Sequence, residues 1–247
     1  LRQRRSVLEV LEKALLMLKK YPLCDHCLGR FFALLARGVS NAERGLSIKL
    51  LLLMEADKLR RQGDMQSWYD IMEALAFNGC FKLALRALNR SEEECKSCFV
   101  CNNIFYRVGF FVEEALKKML NYEYETFLVG VTVPAELVER EDMLRAEFSA
   151  EYSEGLKSEL SREVGKVLAE KTGKSVRFDK PDLLVHVDLS TISVDISSMP
   201  LHVKGRYRKL VRGIPQSKWI CTTCKGRGCE RCNFTGKLYE LSLIHIS

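Results

Sequence analysis

The chain has 247 residues, 47% of them apolar, and a formal net charge of +7. That length suits one to two domains with a sizeable core. No run of eighteen apolar residues occurs, which excludes an ordinary membrane-spanning helix. The opening Leu1-Arg2-Gln3-Arg4-Arg5 leads into an amphipathic stretch, so no cleavable signal is predicted and the expected location is cytoplasmic. Because the first residue is not Met, a missing start is also expected.

Val7, Leu8, Leu11, Ala14, Leu15 and Leu18 recur at helical spacing and predict a first helix that Pro22 stops. Cys24-Asp-His-Cys27 reads as a turn. Ser40-Asn-Ala-Glu43 is a capping box opening a helix to about Gly63. Trp68, Ile71, Met72 and Leu75 mark a third helix, beginning after Asp64 or Ser67 and interrupted at Gly79. A further helical piece carries Leu83, Leu85 and Leu88, and Cys95 to Cys101 is a loop. From Phe110 to Leu120 a short helix is predicted. Thr126 to Val133 is rich in strand formers and closed by Pro134. Ser153 to Thr172 is a helix with Leu156, Leu160, Val164, Val167 and Leu168 inward, ended by Gly173. Leu183 to Val187 and Thr191 to Ile196 are two strands in quick succession. Helix, strand, helix, strand, strand is the order of an α+β unit.

Ten cysteines fall mostly into tight groups, unlike the scattered cysteines of a small secreted disulfide scaffold. Cys221-Thr-Thr-Cys224 and Cys229-Glu-Arg-Cys232 each present two thiolates in one turn. Gly226 and Gly228 allow the connection to fold back. Four soft ligands in twelve residues point to a structural zinc ion with no position left for substrate. Cys24 and Cys27 are expected to share a second zinc with two of Cys95, Cys98 and Cys101. Closing a loop of about seventy residues costs on the order of 4 kcal/mol, and a structural zinc site contributes roughly 10–16 kcal/mol. Spacing leaves three pairs open. Cys98 and Cys101 are preferred, because the turn residues Asn102 and Asn103 follow them and Cys95 ends an acidic, helix-like run. Cys80 is expected to be a buried apolar residue and His26 a solvated loop residue.

Charge is concentrated. Residues 201–240 hold ten Lys and Arg against Glu230 and Glu240, so this stretch is +8 and the rest of the chain −1. A basic stretch interleaved with aromatics beside a cysteine knuckle is the footprint of a nucleic-acid binder. Lys204, Arg206, Arg208, Lys209, Arg212 and Lys218 are the expected phosphate contacts. Tyr207 and Trp219 are expected to stack on RNA, with packing over the knuckle as the alternative for Trp219.

Gly205-Arg-Tyr-Arg-Lys-Leu-Val-Arg-Gly-Ile-Pro-Gln216, followed by Trp219 and the knuckle ending Asn233-Phe-Thr-Gly-Lys237, resembles the archaeal-type tRNA pseudouridine synthases that carry an N-terminal zinc module and a THUMP domain. Cys24-Asp-His-Cys-Leu-Gly-Arg-Phe31 and Gly38-Val-Ser-Asn-Ala-Glu-Arg-Gly45 are similar to that family's opening motifs, and Cys98-Phe-Val-Cys101 to its second cysteine pair. The resemblance spans nearly all of residues 7 to 240. It implies tRNA as partner, uridine isomerised to pseudouridine in the TΨC arm, two structural zinc ions, and neither an organic or other small-molecule cofactor nor a membrane. It also implies a helical zinc module over 1–104, a THUMP domain over 105–200, and a basic segment with zinc knuckle over 201–240. The catalytic aspartate belongs to a synthase domain that follows the knuckle, so no catalytic residue is expected here and these residues alone are expected to be inactive. Leu241 to Ser247 departs from the family and reads as a non-native tail.

Asp182, Asp188 and Asp195 lie in or beside strands without a partner base and read as solvent-facing positions. His186 reads as a strand residue with a satisfied ring, and His202 as a surface residue near the basic motif. A freestanding zinc-containing RNA-binding adaptor is the competing class. Another THUMP-bearing enzyme is disfavoured by the lack of a nucleotide-binding loop. A DnaJ-type chaperone module is disfavoured because CxxCxGxG occurs once.

Overall fold

A computed structural model describes residues 9–198 and 219–238. They fall into two compact units, 9–198 and 219–238. The expected phosphate contacts Lys204, Arg206, Arg208, Lys209, Arg212 and Lys218, with Tyr207 and His202, lie outside the described residues.

The first unit is α+β. Its helical half opens with α1 (Glu9–Lys20), whose Ala14, Met17 and Leu18 are buried, and α2 (Asp25–Arg30). The expected turn at Cys24–Cys27 is instead the first turn of α2: Cys24 is the N-cap and its Sγ accepts the Cys27 N–H at 3.4 Å. The capping box starts α3 (Asn41–Arg61), with Glu43 N donating to Ser40 Oγ at 3.2 Å and Ser40 N to Glu43 Oε2 at 2.9 Å. Asp64 caps α4 (Met65–Glu73). This helix widens into a π-helical turn over Ala74–Asn78 and stops at Gly79, before α5 (Lys82–Ala87). Helices α2 and α3 cross backbone against backbone. A Cβ on Gly29 would stand 1.8 Å from Asn41 O, and one on Gly45 2.0 Å from Asp25 O.

The second half contains α6 (Val108–Met119), β1 (Thr126–Thr132), α7 (Ala135–Glu147), α8 (Leu156–Thr172), β2 (Ser175–Val176), β3 (Leu183–Asp188) and β4 (Ser193–Ser198). The sheet order is β2-β1-β3-β4. β1 runs parallel to both neighbours and β3–β4 is an antiparallel hairpin. Strand alternation buries Phe127, Val129 and Val131 of β1 and Leu183, Val185 and Val187 of β3. They share a core with Leu156, Leu160, Val164 and Leu168 of α8. Val167 is only half-buried. Helix α7 has no counterpart in the sequence-derived order, and neither does the two-residue β2.

Asp182 is exposed but engaged: its Oδ2 accepts the N–H groups of Glu125 (3.0 Å) and Thr126 (2.8 Å) and the Thr126 hydroxyl (2.9 Å). It thereby fixes the start of β1 against the start of β3. His186 Nε2 lies 3.0 Å from Thr132 Oγ1, so the ring is partnered as expected. Asp188 accepts the Ser190 N–H, and Asp195 lies 3.2 Å from Lys118 Nζ.

The second unit is built on the ribbon β5 (Trp219–Ile220) and β6 (Lys237–Leu238), paired antiparallel, with a 3-10 turn over Glu230–Cys232.

Candidate metal centres

Two groups of four cysteines converge, Cys24 with Cys27, Cys98 and Cys101, and Cys221 with Cys224, Cys229 and Cys232; within each group all sulfurs lie within 4.8 Å of one another. Sulfurs at the corners of a tetrahedron about 2.3 Å from a central ion stand about 3.8 Å apart. The contacts match that edge: Cys24–Cys101 is 3.6 Å, Cys221–Cys229 3.8 Å, and Cys224–Cys232 and Cys229–Cys232 are both 3.7 Å. The residues present therefore fit a tetrahedrally held ion in both places.

Local folding explains the first convergence. Cys24 and Cys27 sit on the N-terminal turn of α2. The Cys98–Cys101 loop is moored by Phe99 N donating to Pro22 O at 2.7 Å, and by Arg140 of α7 donating to Phe99 O at 3.1 Å. Asn102 and Asn103 are both left-handed, and Asn103 Oδ1 accepts the Cys98 N–H at 3.0 Å, closing the ligand loop on itself. Cys95 stays out of the cluster. It is bonded to Cys80, which is exposed, not buried. The expectation for Cys80 rested on its apolar character and did not foresee a partner fifteen residues on.

Burial and mutual hydrogen bonding drive the acidities of the thiols of the first cluster apart. Hydrogen bonding to Cys101 holds the Cys24 thiol well above its ordinary range, and burial pushes Cys27 up. Cys98 is pulled well down by hydrogen bonds from Cys101 and the other two thiols. In the second cluster the Cys224 N–H lowers Cys221 to about 6, while burial raises Cys229 to about 11. Gly228 N and Cys229 N donate to Cys224 Sγ at 3.2 Å and Cys232 Sγ at 3.1 Å. Gly228 has φ +93, and a Cβ there would lie 2.8 Å from Phe234 O, so this return turn requires glycine.

Around the first cluster lies an ionic network that the sequence does not advertise. Arg30 closes α2 and is 1% exposed, and Glu159 of α8 is fully buried. Arg30 Nη1 stands 3.4 Å from Glu159 Oε2, and its Nε 3.4 Å from Glu141 Oε1 of α7. Glu141 also accepts from Arg145 (2.9 Å) and the Leu156 N–H (3.1 Å). His26, far from a solvated loop, stacks on Phe105 at 4.0 Å and places Nδ1 2.8 Å from Glu159 Oε1. On the other flank, buried Lys49 of α3 reaches Asp25 Oδ1 and Gly79 O at 2.6 Å each and Leu23 O at 3.2 Å. Helices α7 and α8 are thus joined to the ligand-bearing helix by charge as well as packing.

Residues 111–188 match the family described as Pus10 THUMP domain, archaeal, so the first unit contains a THUMP-type domain. Relatives extend over almost the whole chain. It is 39% identical to tRNA pseudouridine synthase Pus10 of Methanothrix thermoacetophila over 95% of its own length and 51% of that protein. It is 37% identical to tRNA pseudouridine synthase Pus10 of Methanocaldococcus jannaschii over 93% of its length and 50% of that protein. Against tRNA pseudouridine synthase Pus10 of Caldivirga maquilingensis the figures are 41%, 85% and 52%. The chain is a relative of the archaeal tRNA pseudouridine synthases, as its motifs implied, and spans about half the length of the curated relatives it matches. No solved structure matches it.

Proposed function

We propose that this chain is the tRNA-binding part of a tRNA pseudouridine synthase that isomerises uridine in the TΨC arm. The supporting observation is homology to such enzymes over 95% of the chain, joined to a THUMP-type domain. A helical module over 1–104, the THUMP domain over 105–200 and the basic segment with its knuckle over 201–240 divide the work of binding. The residues here grip RNA and carry no isomerisation chemistry. Lys204, Arg206, Arg208, Lys209, Arg212 and Lys218 neutralise phosphates, and Tyr207 and Trp219 stack on exposed bases or riboses.

Both cysteine clusters hold zinc, which suits four thiolates at tetrahedral corners and supplies cross-linking without redox chemistry. Cys24, Cys27, Cys98 and Cys101 join α2 to the loop before α6. Cys221, Cys224, Cys229 and Cys232 shape the knuckle beside the basic segment. Elemental analysis of the purified chain is expected to give two zinc ions; one or none refutes this assignment. The chain is expected to bind tRNA with an affinity that falls steeply with salt. Replacing Arg206, Arg208 and Lys209 with Ala should weaken it and reduce the salt slope by roughly two to three. Unchanged affinity and slope reject those contacts. The chain is expected to form no pseudouridine by itself, and pseudouridine produced from a tRNA transcript would overturn that.

A further inference from the structure

The geometry points to Phe234 as a base-stacking residue: the cysteine knuckle holds this ring exposed in a cation-rich segment, as a platform for an unpaired RNA base. The inference rests on the proposed tRNA binding and adds a contact to it.

Phe234 is 74% exposed, although burial is the ordinary fate of a phenylalanine ring. Its backbone is left-handed at φ +59, directly after Asn233 at +46, and a bulky side chain rarely adopts that conformation. The knuckle enforces it. Phe234 N donates to Cys229 O at 2.9 Å, Thr235 Oγ1 donates to Cys232 O at 2.6 Å, and the Phe234 carbonyl fills the space left by the missing Cβ of Gly228. Gly236 is pressed likewise against the Gly226 backbone, where a Cβ would stand 2.4 Å from its oxygen. Two of the four cysteines and two glycines therefore fix a strained residue whose ring, among the described residues, joins no hydrophobic core. Backbone strain maintained by its surroundings is characteristic of ligand clamps.

Its neighbours suit a polyanion. Arg231 and Lys237 lie three residues either side of Phe234, and with Lys225 and Arg227 they make four exposed cations among the described residues 219–238, where Glu230 is the single carboxylate. Among the described residues none of the four is paired with a carboxylate; Arg231 reaches only Thr223 Oγ1 at 3.4 Å. An exposed aromatic ring in a segment of exposed cations fits an unstacked base and its flanking phosphates. A duplex, whose bases are already stacked, offers no such partner.

The test uses the zinc-loaded chain with a labelled tRNA transcript, a short unpaired oligoribonucleotide and a duplex of matched composition. Phe234→Ala and Phe234→Leu should weaken binding to the tRNA and the unpaired oligomer on the order of 5- to 100-fold. Phe234→Tyr should restore it. Duplex binding, the salt slope, zinc content and melting temperature should stay at wild-type values. All three variants share the same backbone strain, so they differ only in the ring. Wild-type affinity in the Ala and Leu variants overturns the inference and leaves tRNA binding standing, as does an affinity loss that merely follows loss of zinc or fold. A wild-type chain that holds two zinc ions and ignores tRNA removes both.

Discussion

Glu159→Leu tests whether the ionic network fixes the ligand-bearing helix to α8. Glu159 is fully buried and faces both Arg30 at 3.4 Å and His26 at 2.8 Å. The substitution leaves the guanidinium buried with only Glu141, and Arg30 Nη2 already has no hydrogen-bond partner among the described residues. Removing one member of a buried pair costs about 3–5 kcal/mol. For a chain of this size that is a melting-temperature loss of roughly 6–20 °C. Arg30→Met should cost more when zinc is bound, because four thiolates around a divalent ion leave two negative charges beside it. The double variant Arg30→Met/Glu159→Leu should lose less than the sum of the two, since Glu141 keeps Arg145 and the Leu156 N–H. Melting followed by far-ultraviolet circular dichroism, with zinc measured in parallel, checks each value. A shift below about 2 °C for Glu159→Leu at unchanged zinc content would show that the network contributes nothing to stability.

At the crossing of α2 and α3, Gly45→Ala places a methyl 2.0 Å from Asp25 O, where no flexible side chain can yield. About 1–3 kcal/mol should be lost, with weaker retention of the first metal ion measurable by chelator competition. Asp182 is held below its ordinary range by the Glu125 and Thr126 N–H groups. Its contribution is complete above the unfolded value near 3.9 and disappears as pH falls through the lower native value. The stability gap between wild type and Asp182→Asn should therefore narrow on acidification; a constant gap in urea titrations would contradict it. Alkylation after denaturation and metal removal should label eight cysteines before reduction and Cys80 and Cys95 only after it. Opening this fifteen-residue link should cost about 3 kcal/mol, and ten thiols labelled at once would contradict the bond.

Features carried by local chemistry were legible in the sequence. The Ser40 capping box, the Thr126 strand and the α8 stripe announce themselves by local pattern, and Cys24 and Cys27 by spacing, while the choice of Cys98 and Cys101 over Cys95 drew on the turn residues Asn102 and Asn103 and on the family motif. Helix α7 did not, because its charges are spread around it: Leu137 and Leu144 are buried, yet so is Glu141, while Val138 and Met143 are exposed. The six residues of α2 are too few for periodicity, and Cys lies outside the Ser, Thr, Asp and Asn set that ordinarily marks an N-cap. His26, Arg30 and Glu159 acquire their roles from partners more than a hundred residues away, which no local pattern encodes. The left-handed backbone of Phe234 is imposed by the turns of the knuckle and has no signal in the residues around it.

The span between the two halves of the first cluster has a temporal meaning. A ribosome makes Cys24 and Cys27 long before Cys98 and Cys101, so the nascent chain has half a cage while α3, α4 and α5 emerge. Arg30 then waits for Glu141 and finally Glu159, 58 residues beyond Cys101, or roughly 3–12 s of synthesis. During that interval the thiols are complete but their ionic support is not, and a nascent chain stalled there should release the proposed zinc to competing chelators more readily than the finished one.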